Sequence, residues 1–293
     1  MALVSVIIPA YNAAQYIRDT IDSVLNQSYS NFEIIVVNDG STDETAQILN
    51  EYGDKLRVVH QNNKGSAAAC NYGAALAQGE WIAFLDADDI WLPDKLMLQL
   101  KHCKDSSISH TDSFCFGESI SGEVQRGSIT HLVEGQVLKQ LLVTNFISKS
   151  TVMIQRAIFN QYKGFDETYL SVEDWPFWLR VCANHSLGYL PEPVVRYRVH
   201  RQSATMKTRR TLPDHLRIIS EAFNNGGVGQ SFPELRRQAL VSSYQINCHY
   251  AAEAGDWTFA LYCALRALRF EPTAIRTWKN LAKSTLIPLG IPY

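Results

Sequence analysis

No apolar run in this chain approaches the ~18 residues needed to cross a bilayer. The first run, Val4 to Pro9, is only strand-length, and no charged leader segment precedes it. The protein is therefore expected to be cytoplasmic, or at most to lie at the inner face of a membrane. The six cysteines (Cys70, Cys103, Cys115, Cys182, Cys248, Cys263) include no C-x-x-C pair and no histidine at metal spacing. That pattern excludes a zinc ribbon or finger and predicts buried free thiols in a reducing compartment. No G-x-G-x-x-G follows the first apolar run, where Pro9-Ala10-Tyr11-Asn12 stands instead, which argues against a dinucleotide-dependent oxidoreductase. With a net charge of −2, no nucleic acid is expected among its partners.

What is present is an alternation. Val4 to Pro9, Phe32 to Val37, Arg57 to His60 and Trp81 to Leu85 read as strands. Between them, helices are expected over Tyr16–Gln27, Asp43–Tyr52 and Ser66–Ala77, the second opened by a Ser41/Glu44 capping box. Strands this uniformly apolar, separated by amphipathic helices, predict a parallel sheet covered on both faces. Such sheets bind ligands beyond the carboxyl ends of their strands. Further on, a helix is expected over Gln136–Asn145, a strand over Ser150–Gln155, a helical segment over Glu173–Val181 and an extended run over Pro191–Val199. The basic stretch His200–Pro213 reads as a mobile loop, and the chain becomes helical after Pro233. Trp257, Leu261, Ala264, Leu265 and Leu268 would share one helix face there.

The most informative segment is Leu85-Asp86-Ala87-Asp88-Asp89, directly after the apolar Trp81-Ile82-Ala83-Phe84. Three carboxylates at a strand end suit a hard divalent cation, Mn2+ or Mg2+, that also bridges to phosphates. The same acids would also cap a helix opening near Pro93.

Three blocks carry a resemblance: Val4-Ser5-Val6-Ile7-Ile8-Pro9-Ala10-Tyr11-Asn12, Ile34-Ile35-Val36-Val37-Asn38-Asp39-Gly40-Ser41-Thr42-Asp43, and Gly79 to Asp89. Glu173-Asp174-Trp175 and Tyr197-Arg198-Val199-His200 follow in the same order. Over roughly residues 3–205 the chain resembles the family 2 glycosyltransferases of the GT-A fold, α/β proteins with a Rossmann-like, mostly parallel central sheet flanked by helices. A C-terminal helical extension would follow here. The resemblance implies a nucleotide-sugar-binding half (1–105), an acceptor-binding half with a closing loop (106–213) and the extension (214–293). It also implies inverting transfer of a sugar from a nucleotide diphosphate, a UDP-sugar, to a hydroxyl of a saccharide or lipid-linked saccharide in polysaccharide biosynthesis.

By that resemblance, Pro9, Ala10, Tyr11, Asn12, Asp39, Lys64, Asp86, Ala87, Asp88 and Arg198 would contact the donor nucleotide. Tyr11 offers a flat surface to the base and Asp39 an acceptor for a uracil imide N–H. Asp88 and His200 would hold Mn2+ or Mg2+, while Asp86 touches the ribose or a metal-bound water. Arg198 and the basic loop Arg201–Arg210 would close over the pyrophosphate. Asp174 would be the base that deprotonates the acceptor hydroxyl, with Glu173 and Trp175 binding the acceptor and Trp178 a candidate for the same sugar platform. Core packing is the other use of these tryptophans.

One position departs from the pattern. The family usually carries Ala-Arg-Asn where this chain has Ala69-Cys70-Asn71, so a basic group near the donor is missing, for which Lys64 or Arg198 would have to substitute. A catalytically inactive sugar-nucleotide-binding scaffold is the alternative reading. Charge is uneven: residues 196–293 hold 14 Lys or Arg against 6 Asp or Glu, and the preceding residues hold 13 against 23. The tail's formal +8 and the run Trp278–Tyr293 suggest peripheral membrane contact; packing against the acidic body or dimerisation would use the same residues.

Overall fold

The computed structural model describes residues 1–286 except 103–104, 119, 121, 201, 204–205 and 274. The chain forms two compact units. The first comprises Met1–Val137, Phe146–Thr168 and Arg180–His200, and the second Leu138–Asn145, Tyr169–Leu179 and Arg201–Tyr293.

The first unit is built on a sheet. Its opening strands are β1 (Val4–Ala10), β2 (Phe32–Asp39), β3 (Arg57–Gln61) and β4 (Trp81–Phe84), all parallel, with Val6 opposite both Ile34 and Ala83. Val6, Ile7, Ile8, Ile35, Val36 and Val37 are fully buried, so both faces of β1 and β2 are covered, as their strong hydrophobicity requires, whereas β3 at the end of the sheet is half-buried to exposed. Helices α1 (Ile17–Leu25), α2 (Thr45–Asn50) and α3 (Ser66–Leu76) connect them. A Cβ on Gly73 of α3 would stand 2.5 Å from Ile7 Cγ2, so only glycine lets this helix lie so close to β1. The later strands are β5 (Ile90–Trp91), β6 (Ile108–Gly117), β7 (Val124–Gln125), β8 (Met153–Gln155) and β9 (Leu187–Val199). Among the described residues the sheet order is β3-β2-β1-β4-β8-β6-β9-β5, with β7 on β6. Strand β8 is antiparallel to β4 and β6, and β9 is parallel to β6, so β4 and β9 run in the same direction. Their carboxyl ends, Asp86–Asp89 and His200, therefore reach the same edge. Helices α4 (Lys95–His102) and α6 (Arg156–Gln161) complete this unit.

The second unit is helical: α5 (Leu138–Val143), the start of α7 (Asp174–Cys182), α8 (Thr208–Phe223), α9 (Leu235–Glu253), α10 (Trp257–Phe270) and α11 (Ile275–Leu286). Its core is made of small residues, with Ala251, Ala260, Cys263, Ala264 and Ala267 packed around Leu212, Tyr244 and Cys248. Small side chains let helix backbones approach closely, at the cost of less apolar area per residue.

Three expectations need correction. Ser41 and Glu44 do not form a capping box: Ser41 Oγ accepts from Asn12 N–H, and Asp43 Oδ1 receives the Thr45 N–H that opens α2. The stretch 208–213 is helix rather than loop, because Thr208, Thr211, Leu212, His215, Ile218, Ile219 and Ala222 line a single buried face of α8. Pro213 is tolerated in its second turn, where it removes one helical hydrogen bond. On α10 the buried face is Ala260, Cys263, Ala264 and Ala267, whereas Leu265 is 53% exposed. Of the cysteines, Cys70, Cys182, Cys248 and Cys263 are buried and free and Cys115 is half-buried; Cys103 lies outside the described residues. So does 287–293, the end of the tail expected to meet a membrane.

Candidate functional site

The first unit gathers polar strand ends at one edge. At the end of β1, Pro9 is half-buried and Ala10 is buried, and the next residue, Tyr11, is 51% exposed. Asn12 takes a left-handed conformation (φ 49°), which an Asn tolerates when its side chain bonds locally. Its Oδ1 accepts from the Thr42 N–H (2.8 Å) and its own N–H donates to Ser41 Oγ (3.0 Å), which ties the β1 loop to the β2 loop. Gly40 (φ 71°) carries no Cβ, and one placed there would sit 2.8 Å from Asn63 N. That close approach brings the third loop, 62–65, to the same place.

Asp39 ends β2 and is 3% exposed. Gln61 Nε2 (2.7 Å) and the Lys64 N–H (2.8 Å) donate to its Oδ1, and the Gly65 N–H (2.8 Å) donates to its Oδ2. Three of about four lone-pair sites on the carboxylate thus shape the loop before α3. Lys64 presents its backbone to Asp39 while its side chain is exposed.

The acidic run after β4 divides its labour. Asp89 is fully buried; Ser150 Oγ donates to its Oδ2 and the Arg198 N–H to its Oδ1 (2.8 Å). Burial, with Asp88 and Asp86 nearby, pushes its carboxyl well above the ordinary range. Ser150 Oγ also receives the Asp86 N–H (3.0 Å), and Thr20 Oγ1 bonds the carbonyls of Ala87 and Asp89 (both 2.9 Å). The backbone of the run is fixed from three sides, leaving Asp86 and Asp88 partly exposed, with side chains at 32% and 29%.

Arg198 is not aimed at open space. Its guanidinium lies between the rings of Tyr16 and Phe116, 4.6 Å from each, and its Nε donates to the Asp88 carbonyl (2.7 Å). It braces the turn that presents Asp88. His200, at the end of β9, places Nε2 2.8 Å from Asp88 Oδ2, with its ring 5.0 Å from that of Tyr16. The expected closure by Arg201–Arg210 also changes: Arg209 is in α8 and grips Asp256, the N-cap of α10, through Nε (2.6 Å) and Nη2 (3.0 Å). Arg201 lies outside the described residues.

Sequence reasoning missed Lys149. It opens a tight turn, Lys149–Thr151, whose next residue is Ser150. Its Nζ is 3.0 Å from Asp86 Oδ1 and donates to Ser66 Oγ at 2.7 Å, with its side chain only 10% exposed. No periodicity marks a lone lysine in an irregular segment, so nothing in the sequence singles it out.

The acid pair belongs to the second unit. Glu173 is 6% exposed, and Asp174 is half-buried at the first turn of α7. Asp174 Oδ2 accepts from Asn145 Nδ2 (3.2 Å) and Trp178 Nε1 (3.3 Å). Asp214 of α8 receives the Leu170 and Ser171 N–H groups (2.9 and 3.0 Å), pinning the chain just before the pair. Trp175 and Trp178 are 1% and 0% exposed, and Trp175 Nε1 donates to the Leu141 carbonyl (2.8 Å). Neither indole has a face to offer a sugar, so both expectations of a platform are corrected: these rings are core.

Among the described residues no group of three or more His, Cys, Asp or Glu side chains is arranged to hold a metal. A carboxylate oxygen and an imidazole nitrogen 2.8 Å apart at the carboxyl edge of β4 and β9 nevertheless fit a hard cation that keeps several waters and would take its remaining ligands from phosphates. Asp88 and His200 would be the protein's share.

The glycosyl transferase family 2 profile matches residues 5–162. TuaG of Bacillus subtilis, named for teichuronic acid biosynthesis, is 39% identical over 208 residues, 69% of this chain and 81% of its own. The UDP-Glc:alpha-D-GlcNAc-diphosphoundecaprenol beta-1,3-glucosyltransferase WfaP of Escherichia coli is 34% identical over 211 residues, 70% of this chain and 80% of its own. Uncharacterized glycosyltransferases of Rickettsia felis and Rickettsia bellii are longer: the matched chain spans about a third of each (35% and 31%). Among solved structures, the mannosyltransferase PcManGT of Pyrobaculum calidifontis, in complex with GDP-Man and Mn2+, has a TM-score of 0.62 at 20% identity, covering 98% of this chain and 86% of that one.

Proposed function

Since the chain belongs to glycosyl transferase family 2, we propose that it is a metal-dependent, inverting glycosyltransferase. It transfers a sugar from a UDP-sugar to a hydroxyl of a saccharide or lipid-linked saccharide acceptor in polysaccharide assembly. The observation that carries this reading is the Asp88–His200 pair, 112 positions apart in sequence and 2.8 Å apart at the carboxyl edge of β4 and β9.

In this reading the exposed Tyr11 ring stacks on the base, and Asp39 accepts from the imide N–H while it holds the 62–65 loop. Pro9, Ala10 and Asn12 shape the floor beneath. Asp86 takes the ribose hydroxyls. Asp88 and His200 hold Mn2+ or Mg2+, which when bound supplies the Lewis acidity that stabilises a leaving diphosphate. Arg198 keeps Asp88 in place. Glu173 binds the acceptor, and Asp174 removes the proton from its hydroxyl as the new bond forms. An acceptor hydroxyl has a pKa far above 7, so a base placed at the attacking oxygen is the main catalytic demand on the side chains. Support for a UDP donor and a lipid-linked acceptor comes from the name of the relative WfaP, and support for the cation from the Mn2+ named with PcManGT.

Calorimetric titration with UDP and with GDP, each with and without Mn2+, tests the donor assignment. UDP should bind more tightly than GDP, and only with the cation. A preference for GDP, or binding indifferent to Mn2+, would reject it.

A further inference from the structure

Asp86 and Asp88 place two partly exposed carboxylates within three positions, and the proposed ligand, a nucleoside diphosphate, is itself an anion. A divalent cation offsets part of that charge; the remainder needs a fixed positive group. Arg198 is committed to the Tyr16–Phe116 sandwich and to the Asp88 carbonyl. Lys64 is exposed. Lys149, by contrast, holds its ammonium beside Asp86 with its stem buried, where a charge is poorly screened by water.

We infer that Lys149 is a donor-binding residue: it steadies Asp86 and supplies the positive charge that the diphosphate meets. The inference rests on the donor reading above. Two features point to it. First, the ammonium links the acidic run to Ser66, the first residue of α3, directly after the Lys64–Gly65 segment that Asp39 organises. It therefore lies between the two loops assigned to the nucleotide. Second, Cys70, the position where a basic residue is missing, stands four residues after Ser66, one turn along α3 on the same face. Helical side chains lean toward the N-terminus, so a long basic chain at 70 would reach over the turn that Ser66 begins. Cys70 is fully buried and too short to do so. Lys149 brings an ammonium to that turn from a different part of the chain. The adjacent Ser150 binds Asp86 and Asp89, so the same short turn positions the carboxylates and their counter-charge.

A charge role and a scaffolding role predict different things. If Lys149 meets the diphosphate, its loss should matter in proportion to ligand charge; if it only props up the loop, all nucleotides should suffer alike. Affinities of UDP, UMP and uridine are measured with Mn2+ for wild type, Lys149→Met and Lys149→Arg, with folding checked by circular dichroism. Lys149→Met should weaken UDP by about tenfold or more and UMP by less, with uridine within about twofold. Lys149→Arg should restore most of the UDP affinity. Equal losses for all three ligands, or UDP binding as tight as in wild type, would overturn the inference while leaving the donor site intact. Failure of the wild-type protein to bind UDP would instead overturn the donor reading itself.

Discussion

The opening parallel strands and the C-terminal helices bury polar side chains in different places. In β1, β2 and β4 of the first unit the interior is mostly Val, Ile, Ala and Phe, with Ser5 among them. The buried carboxylates Asp39 and Asp89 sit at or just beyond the strand ends, where they accept backbone N–H groups from neighbouring loops. Strand β6 of that unit differs, burying Ser109, His110, Thr111, Asp112 and Ser113 along its length. In the second unit, Thr208, Thr211, Asp214, His215, Ser243 and Asn247 are buried along the lengths of α8 and α9, beside a core of alanine and cysteine. The parallel strands β1, β2 and β4 separate structure from chemistry: apolar runs make the scaffold and the strand ends hold the polar groups of the site. A helical core with polar residues on its inner face mixes the two, and its pattern no longer advertises itself.

The largest expected effect separates the units by function. Asp174→Asn, in the second unit, should lower sugar transfer at least about a thousandfold, measured as UDP released in the presence of acceptor. Activity near wild type would remove Asp174 from the mechanism.

Acid sharpens the contrast next. Burial lowers the pKa of His215 in the second unit and of His110 in the first to about 4. The unfolded chain protonates each histidine near pH 6.5, whereas the folded chain does so only near pH 4. Between those values the unfolded state binds more protons, so stability is lost as pH falls, by about 3 kcal/mol per histidine. Hydrogen exchange at pH 7 and pH 4.5 should show both units loosening in acid, and His215→Gln should flatten the response in the second unit alone. An unchanged response there would mean that some other group controls it.

The smallest effect concerns the exposed apolar residues of α10 and α11. Tyr262, Leu265, Ile275 and Trp278 are 45%, 53%, 73% and 54% exposed in the basic part of the chain. No helix among the described residues is long and apolar enough to cross a membrane. If this surface meets anionic lipid, the protein should co-sediment weakly with phosphatidylserine vesicles at low salt and be released at high salt. A concentration-dependent dimer without vesicle binding would assign the surface to self-association.

How legible each unit was follows from the same contrast. The strands β1, β2 and β4 were readable because burial on both faces keeps their runs almost wholly apolar, Ser5 being an exception, and the acidic tip of β4 stood out against them. Helix α8 was obscured by Thr, Asp and His on its inner face and by Pro213, although the spacing of Thr211, Leu212, His215, Ile218, Ile219 and Ala222 carried a helical signal. Arg198, Lys149 and Asp214 act through contacts with distant parts of the sequence, at Asp88, Asp86 and Leu170. No local pattern encodes such partners. The tryptophans of α7 were ambiguous because a sugar platform and a core have the same composition; only their burial decides.

The most direct test of the division between the units is the Mn2+-dependent affinity for UDP of wild type, Asp88→Asn and Asp174→Asn, measured side by side. The account predicts that Asp88→Asn weakens binding by at least about thirtyfold while Asp174→Asn binds as wild type does. Equal losses in both variants, or none in Asp88→Asn, would contradict it.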